Sequence, residues 1–492
     1  MTGAADHTAT DRTATGHDAI GQDAIGHHAI GQDAGEHDSI GHDAAGHDVA
    51  GHDVARDDPA GGGQLRRVVG ASVIGTALEW YDFFIYGFAV TLVFNELFFV
   101  TDDPATGVIV GFATFGVGFA VRPLGGFVFG HLGDRIGRRS TLVITTLVMG
   151  VSTGLIGLLP TYDSIGVAAP ILLTVLRMCQ GLGAGAEFGG ASTLLAEHAP
   201  AHRRGFFTSF AQTGVQLGLL SGTLVFLLVE TLPRQSVLDW AWRVPFLFSF
   251  ALIAVALYVR LRVAESPVFQ RLARQRTEVA LPVSDALRRY PRNFLIGIGA
   301  HVCDTAVVYI YATYSLAYLT KSLALPRWVG LTGVVAFGVV VIVLQPVYGA
   351  LSDRIGRRPL NLVGVVFTAA FAFPFFLLLD TREPVLIWLA LVVATAFGLA
   401  PMIAVQPAFY AELFGARVRY TGFAASREIG AALAGFSPLV AAALVAQAGG
   451  RGWPVAWWMI GTAAVSFVAF LLSAEGKDVD IAAADTSGVA RR

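Results

Sequence analysis

The sequence predicts an all-α membrane protein whose twelve transmembrane helices form two six-helix bundles related as parallel repeats. Three observations lead to this prediction. The chain has 492 residues, of which 54% are hydrophobic and only 14% are charged, whereas about a quarter are charged in a typical soluble domain. The charges are clustered and leave apolar stretches of about 20 residues, the length that spans a bilayer. A near-identical decapeptide also occurs twice, as GHLGDRIGRR and GALSDRIGRR.

Residues 1–64 differ from the rest of the chain in composition. They contain twelve acidic residues and two arginines, and from Gly16 they repeat with a period of five, as in GHDAI and GHDVA. A segment so poor in aromatic residues cannot bury enough surface to offset the entropy of ordering, so we predict a disordered tail. A weak metal site at His42, His47 and His52 is the alternative. No other metal and no resident cofactor is expected.

Twelve apolar stretches follow this tail. In the first half they cover about 68–94, 107–131, 140–159, 165–196, 206–229 and 240–258. In the second half they cover about 294–318, 329–351, 360–379, 384–409, 422–446 and 454–472. The predicted domains are therefore a tail (1–64), an N-terminal bundle (65–262), a charged linker (263–292), a C-terminal bundle (293–474) and a short tail (475–492).

The distribution of basic residues predicts the orientation of these spans. With twelve spans, about twenty lysines and arginines fall on one side of the membrane and six on the other. Loops rich in lysine and arginine stay in the cytoplasm. We therefore expect a multi-pass protein of the plasma membrane with both termini, the linker and both decapeptides in the cytoplasm.

A second pair of loops supports the internal repeat. The string AEHAPAHRRGFF follows the fourth span and AELFGARVRYTGF follows the tenth. Glu197 and Glu412 in these strings are 215 positions apart, close to the 219 positions between Asp134 and Asp353 of the decapeptides. Since six is an even number of spans, both halves enter the membrane from the same side, as in transporters built from parallel repeats.

The decapeptides place an aspartate after one span and arginines before the next. A carboxylate near the start of a neighbouring helix is stabilised by the exposed N–H groups there. Such contacts could hold the cytoplasmic side closed in one state and break in another, although a basic turn that only sets topology is the alternative. The predicted gating residues are Asp134, Arg135, Arg138, Arg139, Asp353, Arg354, Arg357 and Arg358.

These strings also resemble those of a known family. GHLGDRIGRR is similar to the signature between the second and third helices of the major facilitator superfamily, and LRMCQGLGAGAEFGGA to its fourth-helix signature. EWYDFFIYG, RPLGG and WRVPF resemble the metabolite:proton symporter family within it. The resemblance covers all twelve spans but not the tail. It implies the major facilitator fold and the import of organic acids or zwitterions with protons, and it implies that Arg177 is coupled to proton movement.

Ionisable side chains inside the spans are candidates for proton coupling, because such groups are costly in a membrane and usually face a cavity or a partner. Glu79 and Asp82 are three residues apart on one face of the first span. Asp304 follows Asp82 by 222 positions, close to the repeat offset. The complete set of candidates is Asp82, Glu79, Arg177, Glu187 and Asp304. Ion pairs that only tie helices together are the alternative.

The predicted substrate-binding residues are Arg122, Gln212, Tyr311, Tyr314 and Arg427. Arginine remains charged inside a protein and matches the geometry of a carboxylate, so the two arginines favour an anionic substrate. The tyrosines lie on the same side of their span as Asp304 and predict a polar stripe that lines a cavity. The alternative for the tyrosines is aromatic packing without a cavity. The alternative for Arg427 is neutralisation by the adjacent Glu428.

The sequence thus predicts a proton-coupled secondary transporter that imports a small organic acid or zwitterionic metabolite by alternating access. Proton-driven export of a small metabolite or drug is the alternative. An enzyme is not expected, since no nucleophile or metal cluster lies in a span. Nucleic acid is not an expected partner either, because the basic residues lie along the membrane face. The expected partners are the metabolite, protons and lipid, and a monomer is expected.

Overall fold

The computed structural model describes residues 59–100, 104–136, 138–185, 188–262, 287–288, 290–415, 419–477, 479 and 481. Helices account for most of these residues, and none of them forms a strand. Several predictions concern residues outside this part of the chain, namely the tail up to residue 58 with His42, His47 and His52, most of the linker, and Glu187.

Twelve long helical segments follow one another in the described residues, in the predicted order. Short helices lie between some of them, at Tyr162–Ile165, Ala201–Arg203, Arg234–Asp239 and Ala241–Arg243. Those of the first half are α1 (Pro59–Ala89, Val90–Phe94 and Asn95–Leu97), α2 (Pro104–Ile136), α3 (Arg138–Ile156), α4 (Ala168–Ala184 and Phe188–His198), α5 (Arg204–Val229) and α6 (Val244–Arg262). Those of the second half are α7 (Pro291–Ala300, Val302–Tyr309, Ile310–Tyr314, Ser315–Ala317 and Tyr318–Ser322), α8 (Arg327–Ile355), α9 (Arg357–Asp380), α10 (Pro384–Val393, Ala394–Leu399 and Ala400–Leu413), α11 (Arg419–Ala434 and Ser437–Gln447) and α12 (Trp453–Leu472).

Most of these helices can cross a bilayer. Nine in the described residues are long and apolar enough, and α6 with the short helix before it makes a tenth span bent by 42°. The apolar helices in α3 and α4 are shorter, covering Val143–Ile156 and Ala168–Ala184. Large apolar side chains are exposed on the outside, among them Leu228 at 69% and Leu377 at 68%. Such a surface is suited to lipid rather than water.

The two halves pack their helices in the same way. In the first half, α1 contacts α5 and α6, α4 contacts α2 and α3, and α3 contacts α6. The second half repeats all of these contacts: α7 contacts α11 and α12, α10 contacts α8 and α9, and α9 contacts α12. Between the bundles, α5 packs on α8 and α2 packs on α11, and these two contacts are themselves equivalent. This pattern confirms the parallel repeat predicted from the decapeptides.

Glycines allow α2 and α4 to meet backbone to backbone. A methyl group added at Gly181 would lie 2.1 Å from the carbonyl oxygen of Gly118, and one added at Gly185 would lie 2.0 Å from that of Arg122. Any larger residue at these positions would force the helices apart. Small residues serve the same purpose at close helix contacts in membranes generally.

Helix α7 is interrupted within the stretch of about 294–318 that the sequence analysis predicted as one span. It breaks at His301, whose backbone has φ −96° and ψ 0°, and it contains π-helical turns at Ile310–Tyr314 and Tyr318–Ser322. Single π-helical turns inside α-helices occur frequently at functional sites. Each extra residue in a turn rotates the side chains that follow it.

Candidate functional site

A cavity of about 30 Å³ lies between the two bundles and is lined by α1, α2, α5, α7, α10 and α11. This volume is enough for about one water molecule, so the helices are closed around it. Its polar lining residues are Arg122, Gln212, Gln216, His301, Asp304, Thr305, Tyr309 and Arg427, and its aromatic ones include Trp80, Phe84 and Phe119.

An ion-paired triad connects the two bundles at this cavity. Arg122 of α2 donates from Nε to Oε2 of Glu428 at 2.6 Å and from Nη2 to Oε1 at 3.2 Å. Arg427, which precedes Glu428 in α11, donates from Nη1 to Oε1 at 2.7 Å. All three side chains are at most 4% exposed. The bidentate contact of Arg122 with Glu428 is the strongest geometry available to this pair.

A histidine–carboxylate pair forms another part of the cavity wall. His301 Nδ1 lies 2.9 Å from Oδ2 and 3.1 Å from Oδ1 of Asp304, and both side chains are at most 5% exposed. The break in α7 at His301 sets the start of the following helical segment and orients the pair. Two residues with exchangeable protons therefore face the same small space as Arg122 and Arg427.

Aromatic rings surround the guanidinium group of Arg122. Its Cζ lies 4.9 Å from the ring centroid of Phe83, 5.5 Å from that of Trp80 and 5.6 Å from that of Phe119. A cation is attracted to the face of such rings, and more strongly when water is excluded. The rings thus help to keep the buried charge of Arg122 in place.

A second polar network lies inside the N-terminal bundle. Asp82 accepts a hydrogen bond of 2.6 Å from Ser249 Oγ. The Gln180 amide donates to the main-chain oxygen of Asp82 at 3.3 Å and to Thr153 Oγ1 at 2.7 Å, and Arg177 Nη1 donates to Gln180 Oε1 at 2.6 Å. Asp82 and Arg177 therefore belong to one connected group.

This network is separate from the cavity. Glu79, Asp82 and Arg177 are buried but are not among its lining residues. The Cζ atom of Arg177 lies 4.4 Å from the ring centroids of both Phe83 and Tyr86. Of the five proton-coupling candidates, only Asp304 lies at the cavity, three lie within the N-terminal bundle, and Glu187 is outside the described residues.

The predicted substrate residues divide into two groups. Arg122, Gln212 and Arg427 line the cavity, although they are far apart in sequence. Tyr311 and Tyr314 do not, because Tyr311 packs on Phe375 of α9 and Tyr314 on Phe112 of α2.

Tyr309, which the sequence analysis did not select, takes the expected place of these tyrosines in the cavity wall. The π-helical turn at Ile310–Tyr314 begins directly after it. Its extra residue breaks the α-helical periodicity on which the prediction of Tyr311 and Tyr314 depended.

The second decapeptide joins the bundles at what we call the arginine-rich face, formed by Glu197, Arg204, Asp353, Arg357, Glu412 and Arg419. Asp353 accepts hydrogen bonds from the main-chain N–H groups of Gly205 at 2.7 Å and Phe206 at 2.9 Å, and from Arg357 Nη1 at 2.8 Å. The first two donors belong to the first turn of α5, in the other bundle. The carboxylate thus lies at a neighbouring helix start, as expected for this loop.

Glu412 is the centre of the arginine-rich face. It accepts from Arg204 Nη1 at 3.0 Å and from Arg357 Nη2 at 3.0 Å, and the three side chains are at most 3% exposed. Arg419 and Glu197 form a further ion pair across the bundles at 3.4 Å. This face is therefore closed by buried charges from both bundles.

Other predicted gating residues lie elsewhere. Arg358 donates to the carbonyl oxygens of Phe470 and Leu471 in its own bundle, and Arg354 is exposed. Among the described residues, no hydrogen bond or ion pair joins either side chain to the other bundle. The side chains of Asp134, Arg135, Arg138 and Arg139 lie outside the described part of the molecule.

The segment after α12 packs against the arginine-rich face. Glu475 accepts from the main-chain N–H groups of Arg357 at 2.8 Å and Arg358 at 3.0 Å, which begin α9. Gly356, before α9, has φ 106°, and a methyl group there would lie 2.5 Å from a Glu475 carboxylate oxygen. Further along, the carbonyl oxygen of Val479 accepts from Arg204 at 3.2 Å.

The opposite face is also closed, but by pairs that are more exposed. Glu230 lies 3.2 Å from Arg327 across the bundles, and Glu96 lies 3.6 Å from Lys321. These side chains are between 11% and 36% exposed. With contacts on both faces and a small cavity between them, the molecule is in an occluded form.

Comparisons with known proteins identify the family. Residues 72–435 match the model of the Major Facilitator Superfamily. The shikimate transporter of Escherichia coli (strain K12) is 38% identical over 413 residues, which cover 83% of this chain and 94% of that protein. The proline/betaine transporter of the same strain is 36% identical over 408 residues, covering 81% of each.

A solved structure agrees at the level of fold. The proton:xylose symporter XylE superimposes with a TM-score of 0.64 at 17% identity, covering 84% of this chain and 95% of that one. The predicted twelve-helix fold of two six-helix bundles is thereby confirmed. This chain belongs to the Major Facilitator Superfamily, among its metabolite transporters, and is a multi-pass secondary transporter rather than an enzyme.

Proposed function

We propose that this protein imports a small organic acid or zwitterion together with protons, by alternating access to the central cavity. The observation that carries the proposal is the cavity itself, where Arg122 and Arg427 meet from opposite bundles beside the His301–Asp304 pair. A closed polar cavity at the bundle interface is the expected position of a substrate in such a transporter.

The two arginines favour a substrate that carries a carboxylate. Arginine presents a planar fork that binds carboxylates in a bidentate manner, and Arg122 already binds the carboxylate of Glu428 in this way. Shikimate, proline and betaine, named for two relatives, all contain a carboxylate. A carboxylate substrate would bridge the bundles and favour their closure around it.

Asp82 and Asp304 are our candidates for proton binding, with Glu79 and Arg177 assisting Asp82. Asp82 accepts from a hydroxyl group, and among the described residues no basic side chain lies within 4 Å of its carboxylate. Removing a carboxylate from water favours its neutral form, so a proton gradient can act on such a group. No resident cofactor is proposed.

The two charged faces are our candidates for gates. The Asp353–α5 contact and the Glu412 ion pairs would open when the arginine-rich face opens, while those of Glu96 and Glu230 would hold the other face closed. We place the arginine-rich face and both termini in the cytoplasm because of the distribution of basic residues. The plasma membrane and a monomeric state complete the proposal.

Transport assays with the purified protein in liposomes test this function. Radiolabelled shikimate and glycine betaine are offered with an acidic outside, with and without a protonophore. We expect accumulation that the protonophore abolishes, and we expect D82N to lose accumulation while keeping substrate exchange. D239N, which alters an exposed aspartate, is the matched control. Accumulation unaffected by the protonophore would refute proton symport, and proton-driven efflux would support export instead.

A further inference from the structure

Glu428 was not selected from the sequence, yet it is the residue through which the two bundles are bound to each other at the cavity. Its carboxylate accepts three hydrogen bonds, two from Arg122 and one from Arg427. It therefore occupies on Arg122 the bidentate position that a substrate carboxylate needs.

Arg122 also has an unused donor. Its Nη1 atom is buried and has no hydrogen-bond partner among the described residues, and the residue lines the cavity. Buried donors without partners are rare in folded proteins. A ligand oxygen in the cavity is the natural acceptor for this N–H group.

Other charged or titratable groups act on the triad from the helices packed around it. They are Glu79 from α1, Arg177 from α4, His301 and Tyr309 from α7, and Tyr410 from α10. Asp304 of α7 is paired with His301. At the cavity itself, the positive charges of Arg122 and Arg427 are balanced by the negative charges of Glu428 and Asp304 when His301 is neutral. An additional substrate carboxylate would disturb this balance.

We propose that Glu428 is an internal substitute for the substrate carboxylate, and that it leaves Arg122 as it takes up a proton. The inference rests on the proposed function and specifies its coupling step. The substrate carboxylate accepts the hydrogen bonds of Arg122, and a proton from water on the entry side forms an O–H bond on Glu428. On the exit side the substrate leaves, Glu428 loses the proton, and the Arg122–Glu428 pair forms again.

The charge argument explains why the two events occur together. A buried charge that loses its partner is strongly destabilising. Without the proton, the displaced carboxylate of Glu428 would keep only Arg427, while a second carboxylate occupied Arg122. With the proton, one negative charge enters and one is neutralised, so the cavity stays balanced. For the binding step, the expected stoichiometry is one proton taken up for each carboxylate bound.

Binding measurements on the purified full-length protein test this step. The dissociation constants of shikimate, benzoate and glycine betaine are measured over a range of pH by calorimetry. Uptake of one proton on binding makes the dissociation constant about tenfold larger for each unit of rising pH. For the anions shikimate and benzoate we expect this slope with the wild type and with the matched control E383Q, which alters an exposed glutamate. For E428Q we expect binding that does not vary with pH.

The outcomes separate the inference from the function on which it rests. The same slope for E428Q and the wild type would overturn the role of Glu428 and leave the proposed function intact. Failure of every carboxylate to bind the wild type would overturn the proposed function, and the inference with it. If E428Q does not fold, the R427Q/E428Q double variant preserves the net charge of the triad, and its slope decides the same question.

Discussion

Gly349 offers a sharp test of how the arginine-rich face closes. It lies on α8 against α5 of the other bundle. A methyl group at this position would lie 2.7 Å from the carbonyl oxygen of Gly205 and 2.8 Å from Cβ of Ser209. Contacts this short do not occur in folded proteins, so G349A must push α5 and α8 apart. We therefore expect this substitution to destabilise the closed form of the arginine-rich face.

The size of the effect follows from the contacts that separation would weaken. Overpacking costs about 1–3 kcal/mol. Separation also stretches the hydrogen bonds of 2.7 and 2.9 Å from Gly205 and Phe206 to Asp353, and such charge-assisted bonds contribute about 1.5–3 kcal/mol each. Because α5 and α8 can move apart, only part of each cost applies, and together they destabilise the closed form by about 2 kcal/mol. At 1.4 kcal/mol per factor of ten, this lowers the population ratio of closed to open form roughly 30-fold.

Hydrogen–deuterium exchange of the Gly205 and Phe206 amides measures this shift directly, because both N–H groups are bonded to Asp353 only while the face is closed. We expect exchange to be about 30-fold faster in G349A. G461A is the matched control, since nothing lies within 4 Å of the added methyl group. Exchange in G349A within about threefold of the wild type would refute the argument, as would an equal acceleration in G461A.

Three further substitutions test the remaining ionic contacts. E412Q removes the only ion-pair partner that the described residues give the buried Arg204, and it leaves Arg357 with Asp353 alone. We therefore expect the free energy of unfolding to fall by about 3–5 kcal/mol, and an unchanged thermal unfolding midpoint in detergent would contradict this. E230Q removes the partly exposed ion pair between Glu230 and Arg327, so we expect the free energy of unfolding to fall by less than about 1 kcal/mol. This difference should disappear at high salt, and a larger fall that does not depend on salt would contradict the argument. E475Q weakens the cap on α9 by about 1 kcal/mol, and trypsin should cleave faster after Lys477; equal cleavage rates would count against that cap.

The fold could be predicted from the sequence because its signals are local and repeated. Apolar stretches of bilayer length identified the spans, and two pairs of similar loops identified the duplication. The structure confirms both, since equivalent helix pairs pack in the two halves. The break at His301 and the π-helical turns of α7 were not predictable in this way, because hydropathy does not depend on how many residues a helical turn contains.

The site could be predicted only in part. Arg122 and Arg427 were selected because a cation in a membrane span is costly, and this cost is visible in one sequence. Their common partner Glu428 was not selected, because its contact with Arg122 spans 306 positions and depends on how α2 meets α11. Tyr311 and Tyr314 were selected instead of Tyr309, because the π-helical turn at Ile310–Tyr314 changes the helical register of those two residues.

The glycine contacts between α2 and α4 have a mechanical consequence. Because the backbones touch at Gly181 and Gly185, these helices have no room to slide or tilt independently, and they behave as a single stiff lever. Arg122 belongs to α2 and Arg177 to α4. A movement of α2 that separates Arg122 from α11 therefore also moves α4. Arg177 and Gln180, which surround Asp82, move with it. The two polar centres, which both contact the ring of Phe83, are thus also linked by the backbone contact between these helices.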